Sequence, residues 1–389
     1  MLSWLLALAL ATASPALQDP PVQQAPPTVA PTAPAQAIPI PVPSISDVMA
    51  IPPELDARLR AALPAPSAPA RERLDRLVAF LTGEEGLGLR YREDATLTIA
   101  EAYAQREANC LTFTLVFMAL APRAGLDVHA QEIEQTLTWY QLDNTVFRNS
   151  HVNAVVRAGR DTVVVDVSGS DIVSRSAPIA IPRERLLSHY YNNMAITLLA
   201  HGDPRNAATF SARAIELYPD LPDHWSNAGV IHARNGEWLD AARAYAQALK
   251  LDPDNAGALF NFVGLAHRIG DRASEAQLRR RLAQVQRRDP FHQFLLALEY
   301  EHKGELKLAI AHFRRAIHLH AGEHRFHAAL ARACLAAGDR RCAEAALAHA
   351  RTAAHGPERE IYAAQLQALR APDNAATRPV DPDAGLRRR

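Results

Sequence analysis

Cys110, His151 and Asp166 are the residues of this sequence whose types and order could carry covalent chemistry. Cys110 opens an apolar run to Leu120, directly after Asn109 closes a polar one. Asparagine is a favoured helix N-cap, so the cysteine is expected in the first helical turn. Unpaired N–H groups and the helix dipole favour negative charge there, which inclines a thiol toward a thiolate nucleophile. An imidazole at His151 would accept the thiol proton and return it to a leaving group, while a carboxylate at Asp166 would hold the imidazole in one tautomer. The Cys110 backbone N–H is the first candidate oxyanion donor, with Gln131 or Trp139 as the second. A plainer reading stands beside this one. Free cysteines are often buried and inert, and among 16 histidines a single one means little.

The elements that must position these residues follow from hydrophobic period. Leu74, Leu77, Val78 and Leu81 recur at helical spacing and predict a helix over 70–83, followed by a glycine-marked loop and a short helix over 99–105. The helix from Cys110 is expected to stop near Pro122 and Gly125. Residues 128–133 alternate as a strand does, and the β-branched runs 151–156 and 162–167 flank Ala158-Gly159-Arg160-Asp161, which reads as a hairpin turn. With Ala158 opposite Asp161, Asn153 opposes Asp166, and His151 becomes a diagonal neighbour of Asp166 on the same face. A one-residue change in the turn would send the two to opposite faces. Residues 70–187 are therefore expected to be an α+β domain with an antiparallel sheet.

From residue 188 the chain becomes periodic. Trp225, Gly229, Gly236, Ala241, Tyr245, Ala248 and Pro253 mark one copy, and five copies can be aligned, with a closing helix over 358–370. The alanines of the second helix in each copy fall at 207, 241, 276, 309 and 343, spacings of 34, 35, 33 and 34 residues, which is the tetratricopeptide period. Each helical hairpin leaves an apolar face that only its neighbour can cover, so the copies are expected to stack into an all-α solenoid. Cys334 and Cys342 fall on facing helices of the fifth copy, as either a disulfide or two core thiols. Arg279, Arg280, Arg281, Arg287 and Arg288 make the third copy basic, either as a solvated helix face or as a contact for an acidic peptide or cell-wall carboxylate.

The run from Asn109 through Cys110 to Leu126 resembles the cysteine-helix motif of the transglutaminase-like, papain-related superfamily. His151-Val152-Asn153 and Val165-Asp166-Val167 resemble its histidine and aspartate strands, in the same chain order. The resemblance covers roughly 90–185, and with Tyr190-Tyr191-Asn192-Asn193 opening the repeats it is similar to a bacterial family of exported transglutaminase-like proteins carrying tetratricopeptide repeats. It implies a catalytic triad of Cys110, His151 and Asp166 on a transglutaminase-like or papain-like α+β fold. The sequence departs from the motif at Ala108, where glycine is common, and at Pro122, in a stretch that is often helical.

Composition bounds the rest. The 42 Lys+Arg balance 42 Asp+Glu, a formal net charge of zero that argues against nucleic acid as partner. Three widely placed cysteines make no zinc site, and no cofactor is called for. Residues 1–16 read as a secretory signal peptide, although no Lys or Arg precedes their apolar run. Fifteen of the 27 prolines precede residue 70, so 17–69 is expected to be a disordered Pro/Ala-rich tether interrupted by a short helical piece over 53–63, and 371–389 a disordered tail. The expected location is periplasmic or secreted, with no transmembrane segment after signal cleavage.

Two functions follow from these residues. The first is an exported cysteine hydrolase or acyltransferase. It would form a thioester at Cys110 on an amide of a peptide or cell-envelope substrate, and its repeats would bind substrate or a partner protein. The second is a catalytically silent scaffold or adaptor that uses the concave face of the array for protein–protein interaction.

Overall fold

The computed structural model describes residues 38–133, 139–142, 145–148, 151–167 and 177–370, with side chains left out at 139–142 and 145–148. Residues 1–37, expected as signal peptide and start of the tether, and the tail 371–389 lie outside the described residues. Within the described residues, the chain from Pro39 onward belongs to one compact unit.

Leucines four apart build the first difference from expectation. Helix α2 (Pro53–Ala62) is the helical piece expected over 53–63, helix α1 (Ile45–Val48) precedes it within the expected tether, and Val48, Leu55 and Leu59 are fully buried. Leu55 and Leu59 share the core of helix α3 (Ala70–Thr82), and the chain before α1 is pinned by Ile40 N–H to Asn206 Oδ1 (2.9 Å) and Tyr191 O–H to the Pro43 carbonyl (2.9 Å). Proline content reports local stiffness; it does not report the long-range apolar contacts that fix 38–63.

A two-residue strand β1 (Arg90–Tyr91), helix α4 (Ile99–Gln105) and strand β2 (Glu107–Ala108) lead to helix α5 (Cys110–Leu120). Thr98 and Glu101 form a reciprocal capping box that starts α4. α5 ends one residue before a 3-10 turn, Ala121–Ala124, that contains Pro122 and is closed by Gly125. The proline cannot supply the amide that would continue the helix, which is why the chain tightens there.

Strand β3 (Asp127–Ile133) is followed by a separate hairpin, β4 (Trp139–Leu142) with β5 (Thr145–Arg148), whose second strand runs beside the array helices. Then come β6 (His151–Ala158), β7 (Asp161–Val165) and β8 (Ile179–Ile181). The main sheet has the order β7-β6-β3-β8, with every neighbour antiparallel. Ala158 opposes Asp161 and Ala154 opposes Val165, the register predicted from the turn. α5 lies across β6: Leu111 and Leu115 pack with Val152, while Phe113, Val116 and Phe117 pack with Ala154 and Val156.

Eleven helices follow as five pairs and a closing helix: α6 (Arg183–Ala200) with α7 (Pro204–Leu217), α8 (Pro222–Arg234) with α9 (Trp238–Leu251), α10 (Ala256–Ile269) with α11 (Arg272–Arg288), α12 (Pro290–His302) with α13 (Leu306–Leu319), α14 (His324–Ala336) with α15 (Arg340–Ala353), and α16 (Pro357–Arg370). A glycine followed by an acidic residue sets each pair. Gly202, Gly236, Gly270, Gly304 and Gly338 all take φ between 76° and 80°, ending the first helix left-handed. Asp203, Asp271 and Asp339 then cap the second helix through their side chains.

That frame corrects the third copy of the alignment. The buried position filled by Ala207, Ala241, Ala309 and Ala343 is filled there by Glu275, one residue before the exposed Ala276. The carboxylate is tolerated because Arg272 Nη1 (3.1 Å), Arg279 Nη2 (2.8 Å) and His267 Nδ1 (3.2 Å) surround it. Arg279 stands where Tyr245, Phe313 and Leu347 stand in copies two, four and five. Cys334 and Cys342 form a disulfide between α14 and α15, their Cα atoms 5.8 Å apart. Among the described residues no helix is long and apolar enough to cross a membrane.

Candidate functional site

Cys110 is placed by a stitched helix start. The Asn109 side chain accepts from Thr112 N–H (2.9 Å) and donates to Thr96 Oγ1 (2.8 Å). Thr112 Oγ1 donates to the Ala95 carbonyl (2.8 Å) and accepts from Leu97 N–H (2.9 Å). The loop before α4 is thereby tied to the first turn of α5, leaving Cys110 half-buried as the free cysteine. Thr114 Oγ1 bridges the Cys110 carbonyl (2.8 Å) and the Val152 carbonyl (3.3 Å), joining α5 to β6 just beyond His151.

His151 is buried at the start of β6, and its Nε2 lies 2.6 Å from Asp166 Oδ2. Asn153 Nδ2 donates to the same oxygen at 2.9 Å, so the carboxylate just past β7 is held by two residues of one β6 face. The Cys110 side chain is a further hydrogen-bond partner of the imidazole. The three residues named from the sequence are therefore brought together. Burial alone would lower the His151 pKa, but the hydrogen bonds to Asp166 and Cys110 and the electrostatics of both raise it to about 9.

A raised histidine value stabilises the fold fully below its unfolded value of 6.5, and that contribution is lost as pH climbs through about 9. Asp166→Asn is thus expected to cost on the order of 1–3 kcal/mol near pH 6, since Cys110 carries part of the shift, and much less near pH 10. Urea denaturation of both proteins across that range checks it; a difference that grows with pH would contradict the assignment.

Tyr91 borders this cluster and had no part in the sequence reading, which placed Asn153 opposite Asp166 without a functional role. Burial raises the Tyr91 phenol above its ordinary value, with the electrostatics of Cys110, Glu93 and Asp166 adding to it. Its placement depends on the parallel bridge of Tyr91 to Ala108, a non-local pairing with no local signal. Of the candidate second oxyanion donors, Gln131 pairs with Asn153 across the sheet, and the Trp139 side chain lies outside the described residues. Among the described residues no group of three or more His, Cys, Asp or Glu could hold a metal ion.

A second site lies in the array. A cleft of about 680 Å³ opens between α8 and α10, lined by Val230, Arg234, Trp238, Phe260, Asn261 and Arg268 among others. Arg268 stacks over the Trp238 ring at 5.4 Å, which fixes its guanidinium at the cleft. Arg234 and Arg268 are one 34-residue period apart and occupy equivalent positions, a signal the sequence offers once the repeat is framed on its glycines. The arginine run of α11 is partly committed elsewhere. Arg279 pairs with Glu275, and Arg281 Nη2 donates to the Pro253 carbonyl (2.8 Å).

Comparison with known proteins places the likeness in this array. A tetratricopeptide-repeat family profile matches residues 192–256 and 231–284. A curated relative, the UDP-N-acetylglucosamine–peptide N-acetylglucosaminyltransferase of Giardia intestinalis, is 27% identical over 123 residues, 31% of this chain and 8% of that protein's length. Among solved structures, MamA from Desulfovibrio magneticus RS-1 is 19% identical with a TM-score of 0.26, over 48% of this chain and 99% of that one. YrrB, described as a tetratricopeptide-repeat protein with an unusual peptide-binding site, is 15% identical with a TM-score of 0.24, over 46% and 92%. PilF from Pseudomonas aeruginosa is 16% identical with a TM-score of 0.27, over 48% and 86%.

The expectation of a transglutaminase-like cysteine hydrolase or acyltransferase is corrected by the family profile: what matches is the tetratricopeptide repeat, and it falls on α6–α11. The hydrogen-bonded cluster of Cys110, His151 and Asp166 is by itself geometry, from which a reaction does not follow. The C-terminal region of this chain is a tetratricopeptide-repeat array, carried behind a mixed α+β domain.

Proposed function

We propose that this protein is a scaffold or adaptor whose repeat array binds a segment of a partner protein. The observation that carries the reading is the array itself, five helix pairs in one 34-residue frame with a cleft between the first helices of the second and third pairs. Stacked pairs of this kind present an extended binding surface. The cleft combines the Trp238 and Phe260 rings with the Arg234 and Arg268 guanidiniums, a chemistry suited to an extended segment carrying apolar side chains and carboxylates.

In this reading Cys110, His151 and Asp166 are a hydrogen-bonded brace. They tie the first turn of α5 to the β6–β7 hairpin, and the α+β domain serves as a rigid mount for the array. The apolar N-terminal run of residues 1–16 and the Cys334–Cys342 disulfide support an exported, periplasmic or secreted protein, since disulfides persist in oxidising compartments. The corresponding organisation is a signal peptide over 1–16, a tether that ends before residue 38, the α+β domain, the array over 183–370 and a tail over 371–389.

Site-specific photo-cross-linking in the intact source cell tests the reading. A probe replacing Phe260 in the cleft is expected to give a discrete protein adduct, and one replacing Arg280 on the exposed face of α11 is not. Equal labelling from both positions would remove the cleft as the binding surface.

A further inference from the structure

Where the α+β domain meets the array, a buried polar cluster interrupts an otherwise apolar seam. Glu132 of β3 is 1% exposed and accepts from Arg185 Nε (2.7 Å) and from His189 Nε2 (3.2 Å), both on α6. The Arg185 guanidinium lies over the Tyr218 ring at 5.8 Å. His224, in the first turn of α8, meets the His189 ring edge-on at 5.4 Å and is 1% exposed. Neither nitrogen of the His224 ring has a hydrogen-bond partner. The apolar part of the seam includes Leu186, Leu187 and Ile181, in the core that joins β3 and β8 to the first repeats.

We propose that this cluster is an acid-sensitive clasp. Protonation of His224, beside His189, loosens the packing of β3 against α6 and α8, and so changes how firmly the α+β domain is held to the array. Charge counting supports it. The groups facing His224 are Glu132 from β3 and Arg185 and His189 from α6, with Tyr218 backing Arg185. A protonated His224 would place a cation on a ring that is 1% exposed, lacks a hydrogen-bond partner and lies near the Arg185 guanidinium.

The pH direction agrees with the geometry. Burial, then the charge of His189, hold His224 well below 6.5, with Glu132 opposing, so its contribution to stability is present above 6.5 and lost as pH falls. Burial would raise Glu132, but its bonds and charges with His189 and Arg185 take it to about 2, so the carboxylate stays ionised in mild acid. The clasp therefore responds to mild acid through the His224 imidazole.

Hydrogen–deuterium exchange on the full chain at pH 7.5 and pH 5.0, with times scaled for intrinsic rates, tests the proposal. Peptides covering β3, the first half of α6 and the first turns of α8 are expected to exchange at least tenfold faster at pH 5.0, with α12–α16 unchanged. His224→Leu keeps a buried apolar shape and removes the titration, and is expected to abolish the acid effect. His189→Gln keeps a donor to Glu132 without a charge and is expected to reduce the effect at least threefold, an independent test should the first variant fold poorly. Unchanged seam protection at pH 5.0 overturns the proposal. So does an acid response of wild-type size in either folded variant.

Discussion

Gly229→Val is expected to destabilise the array by about 3 kcal/mol or more, because overpacking a closed helix crossing forces either ring or backbone to move. A Cβ at Gly229 would lie 2.5 Å and 2.6 Å from Cε1 and Cδ1 of Tyr245. That ring is buried and packs against Phe262 at 5.5 Å, so it has little room to rotate away. The internal control is Gly264, which falls one residue past the position equivalent to Gly229 and has nothing within 4 Å of its would-be Cβ. Gly264→Ala is expected to be neutral or to stabilise by up to about 1 kcal/mol through helix propensity. Tyr245→Leu should recover part of the Gly229→Val loss, since the two residues are in contact and their effects are not additive. Thermal or urea unfolding of the four proteins measures this; equal effects at the two glycines would refute the packing assignment.

Glu132→Ala is expected to cost about 3–5 kcal/mol, the range for breaking a buried ion pair from one side. It would leave Arg185, with only 13% of its side chain exposed, facing His189 and His224 with no carboxylate between them. Because the folded Glu132 value is about 2 against an ordinary 4.5, the contribution is present above 4.5 and lost as pH falls through about 2. The gap between wild type and Glu132→Ala should therefore be wide at pH 7 and narrow toward pH 2. A loss below about 1 kcal/mol at pH 7 would mean the pair is screened like a surface one.

Much of the fold was legible because its signals are local. The turn Ala158-Gly159-Arg160-Asp161 between β-branched runs set the β6–β7 register, and that register put His151 beside Asp166. Asn109 before an apolar run set the start of α5. The repeat period was legible too, but aligning on alanine misplaced the third copy, where Ala276 sits next to the buried Glu275. Framing on Gly270 and its left-handed φ of 79° restores the uniform spacing. In 38–63 the helical piece over 53–63 was legible, but its packing was not, because proline content is visible locally while the partners of Leu55, Leu59 and Val48 are distant in sequence. The Glu132 cluster gave no signal, since its members lie on β3, α6 and α8 and match no motif. The Cys110, His151 and Asp166 cluster was readable as geometry. Its activity was not, because one arrangement of side chains can serve packing or chemistry.

The account assigns the protein's role to the array and only a bracing role to Cys110. The direct measurement is partner capture by the Phe260 cross-linking probe in three full-length backgrounds: otherwise wild type, Cys110→Ala, and the charge-reversed pair Arg234→Glu with Arg268→Glu. The account predicts the same adduct within about twofold for the first two and loss of about tenfold or more for the third, as removal of two charge-assisted contacts implies. Capture that depends on Cys110, or a captured protein found cleaved or acylated only when Cys110 is present, would contradict it.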